Sequence, residues 1–74
     1  MSNAAKAFDL LKSIGVFEDM RKVSSLWNSG RQSWELTGSF QNANGRLFGK
    51  VAEFDTADDI VEFEMLCEQM IRSR

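Results

Sequence analysis

The side chains that most often carry out acid–base or nucleophilic chemistry are scarce in this sequence. It contains no histidine and no tyrosine, and Cys67 is its only cysteine. Without an imidazole the chain lacks the commonest general base, and a single thiolate cannot form a paired-thiolate zinc site. Cys67 also falls among apolar residues at helical spacing, which is typical of a packed thiol. The sequence therefore predicts neither a catalytic nucleophile nor a metal site.

Asp55, Asp58 and Asp59 form an acidic cluster that resembles part of a divalent-cation loop. Such a loop needs evenly alternating oxygen ligands, a central glycine and a distal glutamate. That spacing is not present, because Thr56 leads directly into a helical pattern. Thr56 is instead predicted to cap a helix, with Asp58 and Asp59 in the first turn, where the helix dipole favours anions. The glycines likewise lack the strand, glycine-rich loop and helix order of a phosphate-binding loop. We expect no cofactor and no enzymatic activity.

Cations and aromatic rings point to a different chemistry, the binding of nucleic acid. Cationic side chains neutralise phosphates, and aromatic rings stack on bases. The formal net charge of −2 and the isoelectric point near 5.0 oppose this hypothesis, because nucleic-acid-binding domains are commonly basic. Nucleic-acid binding is therefore the first alternative. Its predicted basic surface consists of Arg21, Lys22, Arg31, Arg46 and Lys50, with Trp27 and Trp34 as stacking groups.

The charge is unevenly distributed along the chain. Residues 1–50 carry a formal charge of +3, and residues 51–74 carry −5. Two interpretations are open: the acidic C-terminal segment has a solvated helix face, or it pairs with the basic part within the fold or between copies.

Length and composition favour one small folded domain spanning residues 1–74. The chain is 43% hydrophobic, but a domain of 74 residues buries only about 60% of its unfolded surface, so a partner or a second copy would stabilise it. A lone cysteine favours a reducing, cytoplasmic setting. No apolar run approaches the ~20 residues that a membrane-spanning helix needs, and we expect no membrane association.

The spacing of apolar residues predicts five elements. Periods of three and four predict helices at about 4–14 and 17–28 and at about 57–72, with Asn3 and Thr56 as N-caps. A period of two predicts strands at about 33–40 and 46–54, joined by a three-residue hairpin loop of Ala43, Asn44 and Gly45. The predicted fold is α+β with the order α-α-β-β-α, in which amphipathic helices cover an antiparallel hairpin. The favoured register places Phe40 opposite Phe48, and Trp34 opposite Phe54.

These observations together favour a non-enzymatic protein-interaction module, a homodimer or a binder of another protein, of the kind encoded as small accessory proteins in bacteria or mobile elements. Large aromatic side chains dominate the energetics of interfaces. The predicted interaction surface is therefore aromatic and consists of Phe17, Trp27, Trp34 and Phe48. A small-ligand binder or an enzyme is the second alternative, and a ligand retained through purification would indicate it.

Overall fold

The computed structural model describes residues 2–74 and has the order α-β-β-β-α. Its sheet is antiparallel, with three strands in the order β1-β2-β3. The α+β class is confirmed, but the predicted order α-α-β-β-α is wrong: the predicted hairpin is present as β2 and β3, and β1 adds a third strand to it. The elements are α1 (Asn3–Ser13), β1 (Met20–Asn28), β2 (Ser33–Asn42), β3 (Gly45–Phe54) and α2 (Ala57–Arg72).

The segment predicted as a helix at 17–28 is strand β1. Its apolar residues recur every three or four positions, which mimics a helix, but Ser24 and Ser25 are poor helix formers and Val23 favours a strand. An isolated two-stranded hairpin is marginally stable, so pairing of β1 with β2 supplies hydrogen bonds and width that the hairpin alone lacks. An irregularity in the ladder at Arg21 then turns Met20 inward, where it is fully buried.

Both helices begin at a side-chain cap. Thr56 accepts a hydrogen bond from the Asp59 amide, as predicted, at 3.2 Å. For α1 the cap is Ser2 and not Asn3, because the Ser2 hydroxyl accepts from the Ala5 amide at 3.0 Å. The same hydroxyl donates to Glu62 at 2.8 Å and so connects the start of α1 to α2.

The core lies between the helices and one face of the sheet. α2 crosses this face and α1 packs beside α2. Phe54 of β3 and Phe63 of α2 have ring centroids 5.1 Å apart, and Phe8 of α1 lies 5.0 Å from Phe17. The buried apolar residues are Ala4, Phe17, Met20, Leu36, Phe54, Ile60, Phe63 and Cys67.

A second irregularity, in β3 beside Leu36 and Thr37, sets which side chains face the helices. At the far end of the strands Trp34 lies opposite Phe54, as predicted. Past the irregularity the register shifts by one residue, so that Phe40 lies opposite Leu47 and not opposite Phe48. Since side chains alternate across a sheet, this shift moves Phe48 to the face away from the helices.

Gly38 is required by the packing of this face. A Cβ atom at Gly38 would come within 2.9 Å of the Phe40 ring and of Val51. Phe40 and Val51 therefore pack over the backbone of Gly38 on the helix side of the sheet. They leave no room for a side chain at position 38.

Candidate binding surface on the open sheet face

The side of the sheet away from the helices, here called the open face, is formed by alternate residues of the three strands. Most of its side chains are polar or charged, because successive side chains of a strand point to opposite faces and the apolar ones face the core. The register defines three rows across the sheet, which are Leu26, Glu35 and Glu53; Ser24, Thr37 and Lys50; and Lys22, Ser39 and Phe48.

One half of the open face is a cationic concavity of about 370 Å³. Arg21 and Lys22 of β1 and Arg46 of β3 line it, and no carboxylate does. Within residues 2–74 none of these three cations forms an ion pair. Three positive charges therefore face solvent beside one another without a counter-charge from the described part of the chain.

Phe48 supplies an exposed ring to the same concavity. Phe48 is 70% exposed, the highest value among the large apolar residues of the described range 2–74. Hydroxyl and amide groups surround the ring, so the concavity combines one aromatic surface with hydrogen-bonding groups and cations. The polar lining consists of Ser24, Thr37, Ser39 and Gln41.

The other half of the open face is closed by an ion-pair network. Arg31 donates to both Glu53 oxygens, at 2.8 and 3.2 Å, and Ser33 donates to Glu53 at 2.5 Å. Lys50 lies 3.6 Å from Glu35 and 3.8 Å from Glu53. Asn28 completes the network by donating to Glu35 at 3.0 Å.

The ion-pair network changes the pKa of the Glu53 carboxyl. Hydrogen bonds from Arg31 and then from Ser33 lower the pKa of the Glu53 carboxyl from 4.5 to about 2. The same hydrogen bond raises the pKa of the Arg31 guanidinium. Both groups are therefore charged across the ordinary pH range and neutralise each other.

The structure separates the five predicted cations into two groups. Arg21, Lys22 and Arg46 meet in the concavity, whereas Arg31 and Lys50 belong to the ion-pair network. The polar neighbours in the concavity were missed from the sequence. Their signal was the period of two in β2, which places Thr37, Ser39 and Gln41 on the face opposite Leu36 and Phe40.

The four predicted aromatic interface residues do not form one patch. Phe17 is 4% exposed and lies in the core. Trp27 and Trp34 lie opposite each other on β1 and β2, with ring centroids 5.2 Å apart and an interplanar angle of 61°, and Trp27 remains 43% exposed. By register they belong to the helix side of the sheet, whereas Phe48 belongs to the open face.

A second concavity, of about 260 Å³, continues from the first around the β1 edge. Arg21, Lys22 and Val23 line both, and the second is also lined by Glu68, Ile71 and Arg72 of α2. Arg72 is paired with Glu68 at 3.3 Å. Arg21 and Lys22 thus carry the cationic lining over the edge of β1, and at α2 the second concavity ends in the Arg72–Glu68 ion pair.

Cys67 is fully buried in the core, and burial, reinforced by Glu64 and Glu68, raises the pKa of its thiol to about 12. It is therefore a neutral packing group.

Residues 2–74 contain no cluster of three or more His, Cys, Asp or Glu side chains arranged to hold a metal ion. Over the same residues, no helix combines the length and the apolar character needed to cross a membrane.

Comparison with protein-family models, with curated proteins and with solved structures finds no match to this chain. Function is therefore inferred from the chemistry of the open face.

Proposed function

We propose that this protein is a non-enzymatic binding module that holds an anionic partner on the open face of its sheet. The observation that carries the proposal is the concavity lined by Arg21, Lys22 and Arg46, which contains three cations and no carboxylate. A concave, positively charged surface concentrates anionic partners and speeds their association.

The acidic net charge of the whole chain is compatible with this proposal. Most of the carboxylates of residues 51–74 lie on α2, which packs against the opposite side of the sheet. Electrostatic attraction between exposed groups decays over about 8 Å at physiological ionic strength, so the local charge of the concavity dominates binding there. A reducing, cytoplasmic setting belongs to the proposal and is supported by the single buried thiol of Cys67.

Charge reversal on the open face tests the proposal. We expect the double variant Lys22→Glu and Arg46→Glu to elute from heparin, a polyanion, at a clearly lower salt concentration than the wild type. The matched control is Lys6→Glu with Lys12→Glu, two exposed positions on α1, which changes the net charge equally. If both double variants lose retention equally, binding follows net charge alone and the open face is not the site.

Self-association is a second candidate function, favoured by the outer edge of β3. In residues 2–74, β3 pairs only with β2, and Leu47 near its start is 62% exposed. Unpaired strand edges pair readily with the edges of other chains. Pairing of two β3 strands would join two open faces into one wider sheet and create a homodimer.

Analytical ultracentrifugation over a wide concentration range tests this second candidate. We expect Leu47→Lys to abolish a concentration-dependent dimer, because a charge on an edge strand opposes pairing. Leu10→Lys, at an equally exposed position of α1, is the control and should leave the dimer intact. A wild-type protein that stays monomeric throughout would contradict the candidate.

A further inference from the structure

We infer that the anionic partner of the open face is a short segment of single-stranded nucleic acid, with a base stacked on Phe48 and phosphates held by Arg21, Lys22 and Arg46. This inference rests on the proposed function and specifies its ligand.

The lining of the concavity favours a nucleotide over an acidic protein. A protein interface is centred on several well-packed apolar or aromatic side chains. Here Phe48 is the one large ring in the lining, and hydroxyl and amide groups such as Ser39 and Gln41 surround it. A nucleotide presents the matching set of groups, because it combines a flat π-face, hydrogen-bonding edges and a phosphate.

The register places the stacking group and the cations within reach of one chain of nucleotides. Lys22, Ser39 and Phe48 form one row across the three strands, so the backbones at its two ends are about 10 Å apart. Long side chains such as Lys22 and Arg46 reach toward the phosphates that flank a base on Phe48. Ser39, between the two ends, is placed to hydrogen-bond the sugar or the base edge.

The second concavity provides the path for the rest of the strand. It shares Arg21 and Lys22 with the first and continues over the β1 edge to Arg72, which is paired there with Glu68. A single strand bends around such an edge, whereas a duplex is stiff and its bases are already stacked on one another. An unpaired base is also needed for stacking on Phe48. The geometry therefore favours a single strand over a duplex.

Binding of labelled oligonucleotides, followed by fluorescence anisotropy, tests the inference. The probes are a short oligothymidylate, a short oligouridylate and a duplex of the same length. We expect both single strands to bind and the duplex to bind more weakly. Because three cations lack a counter-charge, the logarithm of the binding constant should fall with the logarithm of salt concentration with a slope of about −2.

Two matched pairs of variants locate the bound strand. Phe48→Ala should weaken binding by about five- to 150-fold, the range measured for loss of base stacking. Leu47→Ala, its neighbour in sequence on the other face, should leave the affinity unchanged. Arg46→Gln should weaken binding and make the salt slope shallower by about 0.7. Lys12→Gln on α1 removes the same charge and should change neither quantity.

The outcomes separate this inference from the proposed function. Equal affinity for duplex and single strand, or an affinity that Phe48→Ala leaves unchanged, would overturn the stacked single strand. Absence of oligonucleotide binding, with heparin retention that still depends on Lys22 and Arg46, would overturn it and leave an acidic protein as the partner. Absence of oligonucleotide binding and of heparin retention that depends on Lys22 and Arg46 would overturn the proposed function as well. Circular dichroism of each variant establishes that it is folded.

Discussion

At the scale of single residues, the pairing of Glu35 with Glu53 shows how the open face is held in place. Two carboxylates directly opposite each other on neighbouring strands repel and destabilise the sheet. Arg31 and Lys50 offset that repulsion, and Ser33, which is buried, adds a hydrogen bond to Glu53. The register of β2 and β3 at this end therefore depends on Arg31 of the loop before β2, together with Ser33 of β2 and Lys50 of β3.

Glu53→Gln tests this dependence through pH. The pKa of Glu53 is about 2 in the folded protein and ordinarily 4.5, so the unfolded chain binds the proton first as pH falls. The stability that the charged carboxylate provides is therefore complete above about pH 4.5 and is lost between there and about pH 2. We expect Glu53→Gln to be less stable than the wild type at neutral pH and to differ progressively less across that window, as measured by urea unfolding.

Arg31→Gln is the partner variant for the same measurement. It removes the largest cause of the lowered pKa, so its stability should also depend less on pH than that of the wild type. The double variant should lose little more than either single variant, because each removes the same interaction. Curves for Glu53→Gln and wild type that run parallel between pH 5 and about pH 2 would contradict the role of the network.

At the scale of the elements, the sequence predicted α2 and the two strands of the hairpin well and β1 wrongly. Thr56, Asp58 and Asp59 mark the start of α2 through local hydrogen bonding and the helix dipole, and these are readable from neighbouring residues. β1 carries no such local signal. Its apolar residues satisfy a helical period, and the weak local preferences of Val23, Ser24 and Ser25 select the strand only together with pairing to β2, a tertiary contact.

The irregularity in β3 explains why the candidate site was only partly predicted. Lys22, Arg46 and Phe48 were each recognised from residue type, but an unbroken ladder places Phe48 and Lys50 among the core residues. The shift beside Leu36 and Thr37 moves both to the open face, which also removes the Lys50 ammonium from the apolar side. Val51 is left unpaired at this irregularity and packs against Gly38, and the sequence pattern does not reveal such an extra residue.

At the scale of the whole molecule, the cations of the concavity and the acidic side chains of α2 lie on opposite sides of the sheet. The acidic residues of α2 accompany the core side, whereas the unpaired cations Arg21, Lys22 and Arg46 lie on the open face. The total charge of −2 therefore conceals a bipolar molecule. An overall isoelectric point is a poor guide to what such a protein binds, because binding responds to the local field.

Arg74 joins parts of the molecule that are far apart in sequence. Its guanidinium donates to the carbonyl oxygens of Phe17 at 2.5 Å and Glu18 at 2.7 Å, and also to that of Met20. These carbonyls belong to the connection between α1 and β1 and to the first residue of β1. Arg74, two residues after the end of α2, thereby holds the start of the strand that carries Arg21 and Lys22 into the concavity.

We expect Arg74→Ala to destabilise the protein by about 1–3 kcal/mol, because it leaves three carbonyl groups, two of them in partly buried contacts, without their charged donor. In a chain of this size that corresponds to a fall in Tm of roughly 5–20 °C. The matched control is Arg72→Ala, two residues earlier, which breaks one exposed ion pair with Glu68 on the same helix and should cost about 0.5 kcal/mol or less. Thermal unfolding followed by circular dichroism measures both variants. Equal losses for Arg72→Ala and Arg74→Ala would show that the guanidinium of Arg74 does not hold the start of β1, and that the concavity is positioned by the sheet alone.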